Sequence, residues 1–312
     1  MTTGPEPGRI SNRDWQRDCR LIADGIRARA LAHTIVHGGY LSQACSSAEI
    51  FALLYGYQMN LGASEGPLLP RRYEGWKDRK EERVSGMIYN GVRAPDADRF
   101  FISPTHYALV VYAALIESGR LAPNALDQFN TDGSTVEMIG GERSPGHEVN
   151  GGSFGQAISQ AAGVAWARRR AGDTGKVWIF LGDGEIQEGQ TWEAVLSMAF
   201  LGLENIKVLV DVNGQQVDGR ISGIMGLEPL AQKFEAFGCA VETVDGHDLE
   251  ALHDACETHH PGKPLVVLAY TEPYRGIPLL KERFPYLHYI RFKSEAERDR
   301  YRDALADMEH PG

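Results

Sequence analysis

Two polar residues follow two apolar segments of this sequence, at the point where each segment ends. Asp183 follows the run KVWIFLG, and Asn213 lies thirty positions later, directly after IKVLVDV. Carboxylate and amide oxygens are hard ligands suited to Mg²⁺ or Ca²⁺, and Gly182 and Gly184 let the backbone approach an anion closely. Because Mg²⁺ with few protein ligands usually also binds phosphate oxygens, the pattern predicts a metal and diphosphate site. An ordinary Gly-Asp-Gly turn is the alternative, and the asparagine after the next apolar segment counts against it.

Strands and helices alternate around these two residues. The predicted strands are KVWIFL, IKVLVDV, AVETV and PLVVLAY, and the predicted helices between them include TWEAVLSMAFLGL and DLEALHDACET. Such alternation favours an α/β fold, with a parallel sheet flanked by helices on both faces. Sheets of this kind bind ligands beyond the carboxyl ends of their strands. Asp183 and Asn213 are therefore expected at one edge of the sheet.

The first half of the chain supplies further predicted elements. Apolar residues recur at helical spacing through residues 12–36, and a second helix is predicted from Ser46 to Tyr57. The strand DRFFIS leads into a helix that begins near His106 and ends at Gly119. The run QAISQAAGVAWARRR predicts a helix whose small residues allow close packing against a neighbour.

These patterns divide the chain into three parts. Residues 1–11 are predicted to form a disordered tail, residues 12–275 a single domain, and residues 276–312 an extension with a polar helix. That helix, SEAERDRYRDALADMEH, is interpreted as either a solvated tail or a contact with a partner, and the solvated tail is favoured.

The composition limits the possible partners. The 42 acidic and 32 basic residues give a formal net charge of −10, which disfavours binding to nucleic acid or to an anionic membrane. The four cysteines show no metal-binding spacing and are typical of reduced thiols in a cytoplasmic protein. No signal peptide and no long apolar run is recognised in the sequence, so no membrane role is expected. A small molecule or another protein is the expected partner.

Several longer motifs resemble a known family. GDGEIQEGQTWEA followed by VDVNGQQVDG resembles the thiamine diphosphate signature that transketolases, decarboxylases and the E1 components of 2-oxo-acid dehydrogenases share. The segments HGGYLSQACSSAEIFALLYG, DRFFISPTHYALVVYAAL and PGHEVNGGSFGQAISQAAGVAWA are similar to transketolase motifs in particular. The resemblance covers roughly residues 12–272. It implies the thiamine diphosphate-binding fold, specifically its diphosphate-binding (PP-type) domain, with thiamine diphosphate and Mg²⁺ as cofactors.

The resemblance also implies roles for individual residues. Asp183 and Asn213 would ligate Mg²⁺ together with the backbone carbonyl of Gln215. Contacts with the cofactor are implied for the residues that match its binding motifs: His37, His106, Gly152, Ser153, Phe154, Gly182, Asp183, Gly184, Glu185 and Asn213. Within this set, Gly184 would donate its N–H to the diphosphate, and the segment from Gly152 to Phe154 would meet the aminopyrimidine ring.

Four residues are implied to take part in catalysis. His106 would contact the diphosphate, and His37 would lie near the C1 and C2 oxygens of the substrate. Glu188 matches the glutamate that links the two cofactor sites of a dimer. In IGGERSPGHEV, His147 either replaces a donor-binding histidine of the family or occupies the position of its valine. Pro104 and Thr105, in SPTH, replace the small and flexible residues that the family has directly before the histidine that matches His106.

Chain length favours a two-chain enzyme. Transketolases that work as one chain carry a pyrimidine-binding domain after this domain, and only about forty residues follow PLVVLAY. The chain is therefore expected to be the N-terminal subunit of a split transketolase. A second subunit would carry the pyrimidine-binding and C-terminal transketolase domains in an α₂β₂ complex. The reaction implied is transfer of a two-carbon ketol unit from a ketose (phosphate) donor to an aldose phosphate.

Two alternatives remain open from the sequence. The segment YTEPYRGIPLLKERFPYLHY replaces a Lys-Gly-Lys-Gly loop of the family. This permits an E1-like enzyme that takes a 2-oxo acid and delivers a two-carbon acyl unit to the thiol of a carrier protein. A non-catalytic regulatory subunit is the second alternative, and the intact set of Asp183, Asn213, His106 and Glu188 counts against it.

Overall fold

The computed structural model describes residues 15–72 and 85–309. The tail predicted to be disordered, residues 1–11, lies outside the described residues. The helices are α1 (Trp15–His37), α2 (Leu41–Leu53), α3 (Ala108–Glu117), α4 (Gln156–Ala171), α5 (Gly189–Phe200), α6 (Ile221–Ile224), α7 (Leu230–Ala236), α8 (Leu249–Glu257) and α9 (Glu295–Glu309). The strands are β1 (Arg99–Ile102), β2 (Val177–Gly182), β3 (Ile206–Val212), β4 (Gln215–Gln216), β5 (Gly219–Arg220), β6 (Ala240–Asp245) and β7 (Leu265–Tyr270).

A parallel sheet forms the centre of the fold. Its strand order is β1-β2-β3-β7-β6, and every neighbouring pair is parallel. In the pairing of β2 with β3, Val177 lies opposite Ile206 and Gly182 lies opposite Asp211. This register brings the carboxyl ends of the two strands to the same edge. Strands β4 and β5 form a separate short antiparallel hairpin just beyond β3.

Helices cover both faces of the sheet, as the sequence predicts. On one face, Trp178 and Phe180 of β2 belong to a core that includes residues of α1, α2, α3 and α8. On the other face, Ile179 and Leu181 pack with residues of α4, α5 and α7. Every residue of β2 and β3 is buried, which explains why these strands are apolar almost throughout rather than alternating. The predicted α/β fold class is confirmed.

Two predicted elements differ from the structure. The second helix begins at Leu41 rather than at Ser46, and it continues as a π-helical turn over Leu54–Gln58. All 13 residues of α2 are buried, so its polar residues lie in the interior. The C-terminal helix α9 is not a solvated tail, because it packs against α1 with Tyr301 only 3% exposed.

The segment before α9 returns to the edge of the sheet where β2 and β3 end. Ile290 forms an isolated antiparallel bridge with Gly39, in the turn between α1 and α2. Ser42 Oγ donates to the carbonyl oxygen of Leu287 at 2.8 Å. These contacts place His288 beside the carboxyl ends of the strands. Among the helices of the described residues, none has the length and apolar character needed to cross a membrane.

Candidate functional site

A cavity lies beyond the carboxyl ends of β2 and β3. Together with the solvent-open space at its mouth, it encloses about 530 Å³. Eight of the residues predicted for the site line it: His106, Phe154, Gly182, Asp183, Gly184, Glu185, Asn213 and Gln215. They come together because β2 ends at Gly182, β3 ends at Val212, and β1 leads into the turn that carries His106.

Asp183 occupies the floor of the cavity. It is 3% exposed, and its carboxylate accepts a hydrogen bond of 2.6 Å from the backbone N–H of Gly214. Burial raises the pKa of Asp183 well above its ordinary value, and the nearby charge of Asp211 raises it further. Both effects disfavour the charged carboxylate. A bound cation would reverse them, because it stabilises the ionised form.

Asp211 is a second buried carboxylate that the sequence interpretation missed. One of its oxygens, Oδ2, accepts hydrogen bonds from Ser46 Oγ at 2.6 Å, Tyr107 OH at 2.8 Å and Asn213 Nδ2 at 3.0 Å. The other, Oδ1, accepts from Thr271 Oγ1 at 2.5 Å. Burial raises its pKa despite these donors. The available signal was that Asp211 lies near the carboxyl end of the predicted strand IKVLVDV, two residues before Asn213.

Asp211 and Tyr107 orient the amide of Asn213. Both accept from Asn213 Nδ2, the tyrosine at 3.1 Å, so the amide oxygen Oδ1 points away from the buried carboxylate. That oxygen accepts from the backbone N–H of Gln215 at 2.9 Å. The side chain of Gln215 has a buried oxygen, Oε1, for which the described residues supply no hydrogen-bond donor. Asn213 and Gln215 thus line the same cavity as Asp183.

This donor set fits a hard divalent cation. Among the described residues, the hydrogen-bond partners of Asp183 and Asp211 are hydroxyl, amide and backbone N–H groups, none of which carries a positive charge. Two buried carboxylates without a cationic partner are costly, and a metal ion would offset that cost. The described parts of the chain hold no cluster of three or more His, Cys, Asp or Glu placed to bind a metal. The fit rests instead on one carboxylate with amide and backbone oxygens, as is usual for Mg²⁺ with phosphate.

His106 and His288 form the opposite wall. His106 lies in the 3₁₀ turn Thr105–Tyr107 that precedes α3, and its ring centroid is 5.0 Å from that of His288. The ring of Tyr40 lies 5.5 Å from His106 and 5.2 Å from His288. Burial, together with the neighbouring His288, lowers the pKa of His106 to about 3. The imidazole is therefore neutral at neutral pH and offers one N–H donor, which suits a phosphate oxygen.

Glu185 lies between the cavity and the loop that precedes α4. Its Oε1 accepts from Ser103 Oγ and, at 2.7 Å, from the backbone N–H of Gly155. Its Oε2 is buried and has no hydrogen-bond partner among the described residues. Burial raises the pKa of Glu185 to about 7. This carboxyl group therefore exchanges a proton close to neutral pH.

Other predicted site residues lie away from this cavity. His37 is exposed and lines a neighbouring cavity with His33, Tyr40 and Tyr289. Tyr40 separates the two cavities, since it lines the second and its ring contacts His106 and His288 in the first.

Glu188, Gly152 and Ser153 are exposed. Glu188 directly precedes α5, and the backbone N–H of Gly152 donates to Ser103 O at 2.9 Å. None of the three is among the residues found to line the cavity.

His147 is completely buried. Its Nδ1 lies 3.1 Å from Pro145 O, and a Cβ atom on Gly140 would lie only 2.2 Å from its Nε2. Burial lowers its pKa to about 4. A catalytic role for His147 would require the ring to leave this packing.

His288 and Tyr107 also contribute to the site without having been predicted. The sequence FPYLHY contains His288 but gives no indication that the chain turns back toward β2 and β3. Tyr107 follows His106, and its hydroxyl group reaches Asp211 only because α3 begins directly after the 3₁₀ turn.

Comparisons with known proteins agree with this geometry. The family model described as transketolase, thiamine diphosphate binding domain, matches residues 89–278. An uncharacterized transketolase family protein of Sinorhizobium fredii is 34% identical over 263 residues, which are 83% of this chain and 85% of that protein. One subunit of the apulose-4-phosphate transketolase of Actinobacillus succinogenes is 33% identical over 205 residues, which are 65% of this chain and 74% of that polypeptide.

The fold also matches solved transketolase structures. Transketolase from Leishmania mexicana superposes with a TM-score of 0.66 at 23% identity, over 93% of this chain and 45% of that chain. At this identity the match shows a shared fold. The family model and the relative from Sinorhizobium fredii lead to one conclusion: the chain belongs to the transketolase family and contains its thiamine diphosphate binding domain.

Proposed function

We propose that this chain is the thiamine diphosphate-binding subunit of a two-chain transketolase-like enzyme, which transfers a two-carbon ketol unit from a ketose (phosphate) donor. The observation that carries the proposal is the cavity in which Asp183, Asn213 and His106 meet at the carboxyl ends of parallel strands. The relative from Actinobacillus succinogenes, which is named as one subunit of a transketolase, supports an enzyme made of more than one chain.

Mg²⁺ and the diphosphate would be held at the floor of this cavity. Asp183, Asn213 Oδ1 and the backbone carbonyl of Gln215 would ligate the metal ion. Gly184 and His106 would donate hydrogen bonds to phosphate oxygens. When bound, thiamine diphosphate supplies an electron sink for breaking the carbon–carbon bond next to a carbonyl group.

The protein's contribution is to position charge and protons around that chemistry. Asp211 and Tyr107 fix the amide of Asn213, so that its oxygen is available to the metal ion. His106 binds phosphate as a neutral donor, because its lowered pKa keeps it uncharged. Glu185, with a pKa of about 7, holds or releases a proton beside the cavity near neutral pH. The role proposed for His37 is contact with substrate oxygens from the neighbouring cavity.

An apolar surface on α4 and α5 supports assembly with a partner. Leu196 is 56% exposed and Phe200 is 87% exposed on α5, and Trp166 is 45% exposed on the adjacent α4. Exposed apolar side chains on neighbouring helices are typical of protein–protein contacts. Glu188, which directly precedes α5, is also exposed. We assign this surface to an α₂β₂ complex in which a second subunit carries the pyrimidine-binding and C-terminal transketolase domains.

Reconstitution tests the proposed function. The chain is copurified with the product of the adjacent open reading frame, and consumption of ketose phosphates and 2-oxo acids is measured with thiamine diphosphate and Mg²⁺. An aldose phosphate or a carrier protein is supplied as the acceptor. The proposal requires donor consumption that depends on an aldose acceptor and is lost in Asp183→Ala. Turnover only of a 2-oxo acid with a carrier thiol would identify an E1-like enzyme instead, and absence of cofactor binding by the complex would exclude both.

A further inference from the structure

The segment that follows β7 forms part of the cofactor site. The backbone N–H of Thr271 donates to Val212 O at 3.1 Å, and Thr271 Oγ1 donates to Asp211 at 2.5 Å. Pro273 lines the cavity together with Asp183. The position of residues 271–273 therefore determines one of the hydrogen bonds to Asp211 and part of the cavity wall.

A histidine from a different loop holds this segment. His247 lies between β6 and α8, and its Nε2 accepts a hydrogen bond of 2.8 Å from the backbone N–H of Glu272. Its Nδ1 lies 3.0 Å from Glu49 Oε2. Because a backbone N–H can only donate, Nε2 must be unprotonated, and Nδ1 then carries the proton that is donated to Glu49. Both ring nitrogens of His247 are thus used, each with a defined role.

A buried ion pair anchors the histidine in turn. Glu49 of α2 accepts from Arg27 of α1 at 2.5 Å, and the two residues are 7% and 3% exposed. Arg27 also donates to Cys45 O at 3.3 Å. A buried pair of this kind tolerates little displacement, since moving one partner leaves the other charge unpaired in the interior. Glu49 is therefore a fixed point against which His247 is oriented.

The two loops also approach each other very closely. The backbone N–H of Gly246 donates to Tyr270 O at 2.8 Å. A Cβ atom on Gly246 would lie only 2.4 Å from Thr271 Cγ2. The contact between His247 and Glu272 therefore belongs to a tightly packed junction of two loops.

We propose that His247 is a positioning residue of the cofactor site, which transmits the fixed geometry of the Arg27–Glu49 pair to Thr271 and Asp211. The chain of contacts runs from Arg27 to Glu49, from Glu49 to His247, and from His247 to the backbone of Glu272 next to Thr271. None of the residues in this series of contacts is found among those that line the cofactor cavity. The inference rests on the proposed function, because it treats Asp211 as the support of a metal site.

The test compares two substitutions with opposite expectations. His247→Ala removes both hydrogen bonds. His247→Gln retains them, since the amide oxygen can accept from Glu272 N–H and the amide NH₂ can donate to Glu49. The apparent Kd for thiamine diphosphate at saturating Mg²⁺ is measured by calorimetry on the copurified complex. Mutation of a group that bonds directly to a metal ligand typically weakens a metal site by roughly 10- to 100-fold. Because His247 acts through Thr271 and Asp211, we expect the lower end of this range, about a tenfold higher Kd for His247→Ala, and less than about twofold for His247→Gln.

Hydrogen exchange gives a readout that needs no cofactor. In the absence of thiamine diphosphate, the amide of Glu272 should exchange faster in His247→Ala than in the wild type, and at about the wild-type rate in His247→Gln. His253→Gln is the matched control, because His253 bonds to Gln58 at 2.7 Å and neither residue is found among those that line the cofactor cavity. It should alter neither the Kd nor exchange at Glu272.

A double-mutant cycle separates positioning from general loosening. Thr271→Val removes the hydroxyl group that bonds to Asp211, and the Kd of the double variant should rise by much less than the product of the two single effects. A Kd for His247→Ala equal to that of the wild type would overturn the inference. Equal losses of affinity in His247→Ala and His247→Gln would also overturn it. So would a double variant whose Kd rises by the full product of the two single effects. If the wild-type complex itself binds no thiamine diphosphate, the proposed function fails instead.

Discussion

Replacing Glu185 by glutamine should change how the stability of this protein depends on pH. Glu185 is 1% exposed, and burial raises its pKa from 4.5 to about 7. Between these values the folded protein holds a proton that the unfolded chain releases. The protonated carboxyl therefore contributes stability that is fully present below pH 4.5 and is lost as the pH rises through 7. A rise of about 2.5 pKa units corresponds to about 3 kcal/mol over the whole window.

Glutamine keeps the shape of the side chain and its acceptor oxygen for Ser103 and Gly155, but it does not ionise. The advantage of Glu185→Gln over the wild type should therefore grow as the pH rises. Between about pH 6 and pH 8 roughly one pKa unit of the window is traversed, which corresponds to about 1.4 kcal/mol. Urea unfolding of both proteins without cofactor at these two pH values measures the difference. The exposed Glu193 of α5, changed to glutamine, serves as the control. Parallel pH profiles for Glu185→Gln and the wild type would refute the assignment of a buried, neutral carboxyl.

The remaining predictions concern the metal site, the histidines and the assembly. Asp183→Ala should abolish thiamine diphosphate binding by the complex, whereas Asn213→Ala should weaken binding less, because water can replace a neutral ligand. Calorimetry in the presence of Mg²⁺ distinguishes the two variants, and wild-type affinity in Asp183→Ala would contradict the proposed metal site. His106→Ala should raise the Kd for the cofactor with a nearly unchanged melting temperature, and a collapse of the melting temperature would instead mark His106 as a core residue. Three buried histidines should each oppose folding as the pH falls below 6.5, because burial lowers the pKa of His33 and His147 to about 4 and that of His106 to about 3, so that the unfolded chain takes up protons that the folded protein does not. Removing one of these contributions in His147→Phe should shift the acid unfolding midpoint to lower pH in a circular dichroism titration. The chain on its own should show no turnover of ketose phosphates or 2-oxo acids, and a fully active homodimer in mass photometry and activity assays would contradict the two-chain proposal.

The sequence predicted the fold and the floor of the site for one physical reason. The carboxyl ends of neighbouring parallel strands must meet, so Asp183 and Asn213 could be placed together from the order of strands and helices alone. The supporting groups could not be placed in this way. Asp211 lies near the carboxyl end of a predicted strand, but its donors come from segments as distant in sequence as Ser46 and Thr271. Such contacts depend on how helices dock on the sheet, which local patterns do not specify.

The start of α2, which was predicted at Ser46 and lies at Leu41, differs for a similar reason. A polar stretch such as LSQACSS favours a loop or a helix terminus by local preference. Its serines instead lie inside a helix that is buried on all sides, where their hydroxyl groups bond to Gln43 O and to Asp211. Burial against the sheet thus overrides the local preference, and it does so where Ser46 donates a hydrogen bond to Asp211.

The return of residues 284–292 to the sheet edge matters for the design of shorter versions of this protein. The match to the family model ends at residue 278, but His288 lines one wall of the cavity. A fragment truncated at residue 278 would also leave Gly39 and Ser42 without the backbone partners that Ile290 and Leu287 provide. Such a fragment would retain the whole parallel sheet and present a cavity open to water on the side of the histidines. A fragment made for ligand screening or crystallisation should therefore extend past Ile290 rather than stop at the end of the family match.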